Sequence, residues 1–259
     1  MLDKCNNMLY TNKLLHFAKE KVMRKGFTLA EVLITLGIIG VVAALTMPGL
    51  IANYQKKAYV TQLRKSLAVW ENAIAMMKVE AGDTNARLSD TELSVMQSNY
   101  AAGNVAEQAR VEPIIKKYFN IVKIDNSPIK YQRLDKSSES TNNDLKWYMN
   151  DGSIYMVNVL NANTPPAGGT SFYGIVYIDV NGNKGPNTWG RDAFSYFIDV
   201  YGHLVPRYSS YTALVSPMTE PNWLTDTSRC GVAGSSDITG VSGLGCAARL
   251  QETDWVMDY

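Results

Sequence analysis

Arg24-Lys25-Gly26-Phe27-Thr28-Leu29-Ala30-Glu31-Val32-Leu33 opens the stretch whose reading decides the fold. The 21 residues from 32 to 52 carry no formal charge and are long enough to cross a bilayer as one helix. Two cations stand just before the apolar run, and a single acid, Glu31, lies near its start. A carboxylate inside a membrane helix costs about 2.5–3.5 kcal/mol on insertion scales, so it ordinarily has a partner and a role. Two simpler readings fit less well. A secretory signal cleaved near Ala43-Ala44 has an apolar core of about 7–15 residues and no acid at its edge. A plain membrane anchor leaves Glu31 without a purpose.

The basic flank, the Gly26-Phe27 junction and the acid near the helix start together resemble the type IV prepilin signal of type IV pilins and type II secretion pseudopilins. Lys25, Gly26, Phe27, Thr28, Leu29 and Glu31 carry the resemblance, with Pro48 where a pilin helix usually bends. It is close over residues 24–54 and extends to the rest only in general layout. The resemblance implies cleavage after Gly26 by a prepilin peptidase and methylation of the new N-terminus, Phe27. It also implies that Glu31 meets the freed α-amine of a neighbouring subunit. The partners would be other pilin or pseudopilin subunits and an inner-membrane assembly platform. The organisation expected is a leader over 1–26, a transmembrane and assembly helix over 27–52, and a periplasmic or extracellular pilin-like domain over 53–259.

Charge and cysteine agree with that topology. Residues 1–26 hold six Lys/Arg against two acids, a balance of +4 that leaves −3 for the remainder of a chain with net charge +1. A basic segment before a membrane helix stays cytoplasmic and sends the following domain across. The slightly acidic remainder gives no global attraction for nucleic acid. Cys5 falls in the leader, and Cys230 and Cys246 remain as an even pair for an oxidising compartment. They are expected to form a disulfide. No Cys/His spacing suits structural zinc.

Downstream, Val60, Leu63, Leu67, Trp70, Ile74 and Met77 follow spacings of 3, 4, 3, 4 and 3, one apolar stripe on a helix. Gln62, Arg64, Lys65, Glu71, Asn72 and Lys78 are expected on the opposite face, with Gly82 as the stop. Pro48-Gly49 should interrupt the helix before that stripe. Residues 83–127 read as irregular, save a helix over 104–119 capped by Asn104. Residues 137–144 read as a polar loop. Residues 145–149 and 154–159 flank Asn150-Asp151-Gly152-Ser153 as a hairpin, and a second hairpin turns at Tyr201-Gly202. The tail from Ser209 reads as an irregular flap. The fold expected is therefore α+β and pilin-like: a long N-terminal helix packed on a four- to five-stranded antiparallel sheet, with a disulfide-closed C-terminal flap.

Enzyme motifs for phosphate loops, dinucleotides or zinc proteases are absent, and no catalytic residue is assigned. Outside the leader the only histidine is His203, with no Gly-x-Ser-x-Gly elbow to accompany it. One polar cluster, Asp179, Asn181, Asn183 and Asp192, resembles the start of a calcium loop. Lys184 stands where the loop glycine belongs and Gly190 where the closing Glu belongs, so the full calcium-loop pattern fails, and an Asx-rich turn between two strands explains the cluster without metal. The function expected is a structural subunit, a minor pilin or pseudopilin that requires no cofactor, with calcium at that loop as the one candidate ligand. A membrane-anchored binding domain acting alone, or an anchored hydrolase using His203, are the alternatives.

Overall fold

Thr28 begins the first helix. Its hydroxyl and Glu31 exchange hydrogen bonds across the first turn, so the chain enters helix immediately after the Gly26-Phe27 junction. The structure, a computed structural model, describes residues 26–95, 105–159, 172–209, 224, 226–232 and 239–259. The leader before Gly26 and the proposed cap Asn104 lie outside the described residues. Helix α1 spans Leu29–Glu80. Its hydrogen-bonded course runs on through Pro48, where an interruption was expected from the missing backbone donor. The chain divides into two compact units, one ending at Ile51 and the other covering Ala52–Tyr259.

In the first unit the described side chains are exposed throughout, except half-buried Ala43. Phe27, Leu29, Leu45 and Leu50 are each more than 70% exposed. The helix here is long and apolar enough to cross a membrane.

In the second unit α1 becomes amphipathic. Val60, Leu63, Trp70, Ile74 and Met77 are buried as the spacing predicts, joined by Ser66 and Ala73, and Leu67 packs partly against them. Lys78 is buried too, contrary to its expected place on the polar face, and its ammonium lies 5.8 Å from the Tyr201 ring centroid. Gly82 ends the helix at φ +81°, with Gly82 N–H bonded to Val79 O and Asp83 N–H to Lys78 O. These two bonds satisfy carbonyls that a helix end otherwise leaves open.

Helix α2, Val105–Tyr118, follows two short 3-10 turns at Leu88–Asp90 and Glu92–Val95. The main sheet has six antiparallel strands in the order β1-β4-β5-β6-β7-β8. They are β1 Ile121–Asp125, β4 Lys146–Met149, β5 Ile154–Val159, β6 Phe172–Asp179, β7 Ala193–Asp199 and β8 Leu204–Pro206. Strands β2 Ile129–Gln132 and β3 Glu139–Asn142 form a separate hairpin.

The sheet thus exceeds the four or five strands expected. β1 lies in a stretch read as irregular, and β3 in one read as a loop. Both run along edges: β3 has no buried residue, and Val122 of β1 is 65% exposed. Neither strand therefore shows a hydrophobic alternation strong enough to mark it.

Trp70 ties the helix to the sheet. It stacks 6.4 Å from Trp147, tilts against Phe119 at 5.3 Å, and donates from Nε1 to Gly202 O at 2.8 Å. Gly202 has φ +88°, and a Cβ there would stand 2.7 Å from Ile74 Cγ2, so the β7–β8 turn presses on the helix only as glycine. Tyr155 donates to Ser66 O at 2.9 Å across the same interface.

Past residue 209 the flap expectation needs correction. Cys246–Glu252 forms helix α3, in which Cys246, Ala247, Ala248 and Leu250 are fully buried in the main core. The Cys230–Cys246 disulfide is present, with Cα atoms 4.8 Å apart. Among the described residues, the stretch 239–259 is held by packing as well as by the bridge.

Candidate functional site

Two places carry the candidate residues, and each is built within its own unit. At the start of α1, Gly26 and Phe27 precede the first turn and are fully exposed; Phe27 is 86% accessible. The Thr28 N–H donates to Glu31 Oε2 at 2.8 Å, Thr28 Oγ1–H donates to the same oxygen at 2.9 Å, and Glu31 N–H donates to Thr28 Oγ1 at 3.2 Å. This is a capping box, in which residues at the cap and three positions on satisfy each other's orphan groups. The only acid of the apolar segment is thus turned towards the backbone at the helix start. Pro48 is a helical residue of the exposed segment.

In the second unit, Asp179, Asn181, Asn183 and Asp192 lie at the β6–β7 connection, where β6 ends at Asp179 and β7 begins after Asp192. Val180 N–H donates to Asp192 O at 2.8 Å, which brings the two acids across from one another. Both carboxylates are buried. Asp179 Oδ1 accepts the N–H groups of Asn181 and Gly182, at 3.2 and 2.8 Å, and Oδ2 accepts the Tyr131 hydroxyl at 2.9 Å. Asp192 accepts the N–H groups of Thr188 and Asn187, at 2.6 and 3.0 Å. Burial, and then the negative charge of Asp192, push the Asp179 carboxyl up to about 7. Burial raises Asp192 too, against the backbone bonds it receives.

Two amide oxygens of the loop lack a donor. Asn181 Nδ2 donates to Gly185 O at 2.8 Å, while Asn181 Oδ1 and Asn187 Oδ1 are buried with no hydrogen-bond donor. Asn183 is exposed and bonds to the Tyr148 side chain, and Lys184 is exposed. Among the described residues no group of three or more His, Cys, Asp or Glu is gathered as metal ligands.

Sequence reasoning missed Tyr131 and Tyr59. Tyr131 comes from β2, stacks 4.7 Å from Trp189 and caps Asp179. Tyr59 reaches Asn181 from α1 at 3.5 Å. No local signal marks either. Gly190, which stands where a calcium loop would place its closing Glu, has a packing role instead: at φ +81° its missing Cβ leaves room for Cys246 Sγ, which would lie 2.7 Å away. The disulfide therefore rests on the acidic loop, and Tyr259 closes the contact by donating to Gly190 O at 2.9 Å.

His203 is exposed in the β7–β8 turn, its N–H donating to Asp199 Oδ1 at 2.9 Å. It lines a pocket of about 460 Å³ with Glu71, Lys78 and Thr84.

An exposed apolar helix, long enough to cross a membrane, thus begins at a Gly-Phe junction, carries one capped acid and leads into an α+β domain. The family model of the prokaryotic N-terminal methylation motif matches residues 22–47, so the chain carries the prepilin-type signal of type IV pilins and pseudopilins. No curated protein and no solved structure matches it.

Proposed function

We propose that the chain is a minor pilin or pseudopilin, a structural subunit of a type IV pilus or a type II secretion pseudopilus. The observation that carries this is the methylation motif running directly into an apolar helix whose side chains nothing in the described unit covers. In this reading a prepilin peptidase cuts after Gly26, Phe27 is N-methylated, and the helix is held in the inner membrane with the domain in the periplasm. The apolar helices of neighbouring subunits then cover one another in the fibre. Intact-mass analysis of membrane-extracted protein tests it: a chain beginning at methylated Phe27 supports the reading, and an uncut chain sinks it.

The 179–192 loop supports a second reading, calcium binding. Two buried carboxylates beside two donor-less amide oxygens are a set that suits a hard cation. Asp179, Asn181 and Asp192 would hold the ion through lone pairs their protein donors leave open. It would offset the burial that raises both acids, and the Asp192 charge that adds to it at Asp179. Asn183, which bonds Tyr148, would have to turn to take part. Calcium then raises the melting temperature and a chelator lowers it, and Asp179→Ala abolishes the difference. Identical melting in both leaves the loop a turn.

A further inference from the structure

Beside the first turns of α1 in the second unit runs a groove of about 490 Å³. One wall is the helix, with Lys56, Lys57 and Arg64. The other is the segment 254–257, which brings Trp255, Val256 and one acid, Asp254. Lys56 is taken, donating to Tyr259 O. Lys57 and Arg64 are exposed, and the Arg64 guanidinium lies 5.5 Å from the Trp255 ring centroid. Val256 is 56% exposed.

The far wall is held in an unusual shape. Asp254 and Trp255 both have left-handed backbone, with φ of 51° and 63°. Consecutive non-glycine residues rarely adopt it, because the Cβ crowds the next carbonyl. That reversal after α3 sets the indole against Arg64 and leaves Val256 outward. The result is a surface with two cations, an amphipathic ring and an exposed aliphatic side chain. Side chains of these kinds are favoured at bilayer interfaces.

Position along the chain selects the occupant. Lys57 comes five residues after Ala52, and five residues span at most about 18 Å even fully extended. Arg64, twelve residues after Ala52, stands about 18 Å further along α1, so both cations of the groove lie close to the end of the apolar run that would cross the membrane. A phosphodiester there would meet Lys57 as a point charge and Arg64 as a planar fork. We infer that this groove receives the phosphate headgroup of an anionic phospholipid while the subunit is held in the membrane. The inference rests on the membrane-anchored reading above.

The full chain is reconstituted into phosphatidylcholine nanodiscs that contain the same fraction of either brominated phosphatidylglycerol or brominated phosphatidylcholine, and tryptophan emission is followed. The expected result is quenching by brominated phosphatidylglycerol beyond that by brominated phosphatidylcholine. It is lost in Trp255→Phe and in the double variant Lys57→Gln/Arg64→Gln, whose unchanged melting temperature shows that the domain stays folded. Equal quenching by the two lipids, or undiminished quenching in the double variant, overturns the inference. So does a response to free glycerol phosphate in purely zwitterionic discs, which would assign the groove to a soluble phosphate. A chain that enters neither bilayer defeats the membrane reading itself, and this proposal with it.

Discussion

Thr28 and Glu31 cap each other: the Thr28 N–H reaches Glu31 Oε2 at 2.8 Å, and the Glu31 N–H reaches Thr28 Oγ1 at 3.2 Å. The carboxylate is therefore occupied within its own chain, one turn from the Gly26–Phe27 bond proposed for cleavage. To meet the α-amine of a neighbour, it must share or exchange the Thr28 donors. Glu31→Ala is expected to leave membrane insertion intact, since it removes a charge from an apolar segment, and to exclude the subunit from fibres. Co-sedimentation with sheared fibres checks this, and normal incorporation of the variant would refute it.

Gly26 is exposed with open space where a Cβ would stand, so its importance does not come from packing in the folded chain. Its expected role is in the peptidase cleft. Gly26→Leu should accumulate as uncut precursor with an unchanged domain melting temperature, read by intact mass and thermal denaturation together.

Loss of the Cys230–Cys246 bridge in Cys246→Ser should cost about 3 kcal/mol, the chain-entropy value for a loop of this size. Gly190→Ala should destabilise the domain through a separate route, because a Cβ at that positive φ would collide with Cys246 Sγ. The two substitutions act at one contact, so their combined effect in denaturant titration should fall short of the sum.

The acidic loop gives a pH dependence of definite sign. Folded, Asp179 keeps its proton up to about pH 7; unfolded, it loses it near the ordinary carboxylate value. Between those values the folded state binds the extra proton, so stability falls as pH rises through the window. Tyr131 and Asp192 face the group directly, with Tyr59 and Arg191 close to the pair. Asp135 and Asp226 behave oppositely. Hydrogen bonds from the Ser137 backbone and the Ser228 hydroxyl hold them below the usual range, so their contribution is lost only at lower pH. In calcium-free buffer the melting temperature should therefore rise on acidification from about pH 7 towards 5. Asp179→Asn should flatten that rise; an equal slope in the variant would dismiss Asp179 as its source.

Trp70 is fully buried against Phe119, Trp147 and Tyr155. Trp70→Ala should cost about 3–5 kcal/mol, as removal of a large core aromatic does. Trp70→Phe keeps most of the volume and loses the bond to Gly202, so about 1 kcal/mol is expected. Chemical denaturation of both variants gives the comparison.

What could be read from sequence follows from how local each signal is. The α1 stripe, the Asn150–Ser153 turn and the stop at Gly82 are written within a few residues, and each stands where its pattern put it. β3, Glu-Ser-Thr-Asn, offers no apolar face because β2 is its only partner and solvent covers the rest. α3 is seven residues long, too short for a helical period to emerge from a Ser- and Gly-rich tail. The prepilin signal is contiguous and was legible. The surroundings of Asp179 were not, since Tyr131 arrives from 48 positions away and Tyr59 touches its neighbour Asn181 from 122.

The far end of the domain is assembled from pieces that come late in the chain. Strand β2 bonds to Asn187 and Trp189, Leu134 bonds to Ser242, Ser195 bonds to Leu244, and Tyr259 bonds to Gly190. A polypeptide leaves the ribosome in order, so α1 and the first hairpins emerge first. Asp179 and Asp192 follow, without the segment 239–259 that buries their surroundings. Completion of the domain around the two acids thus waits for its last residues, and a chain halted short of Cys246 would leave Cys230 without its disulfide partner.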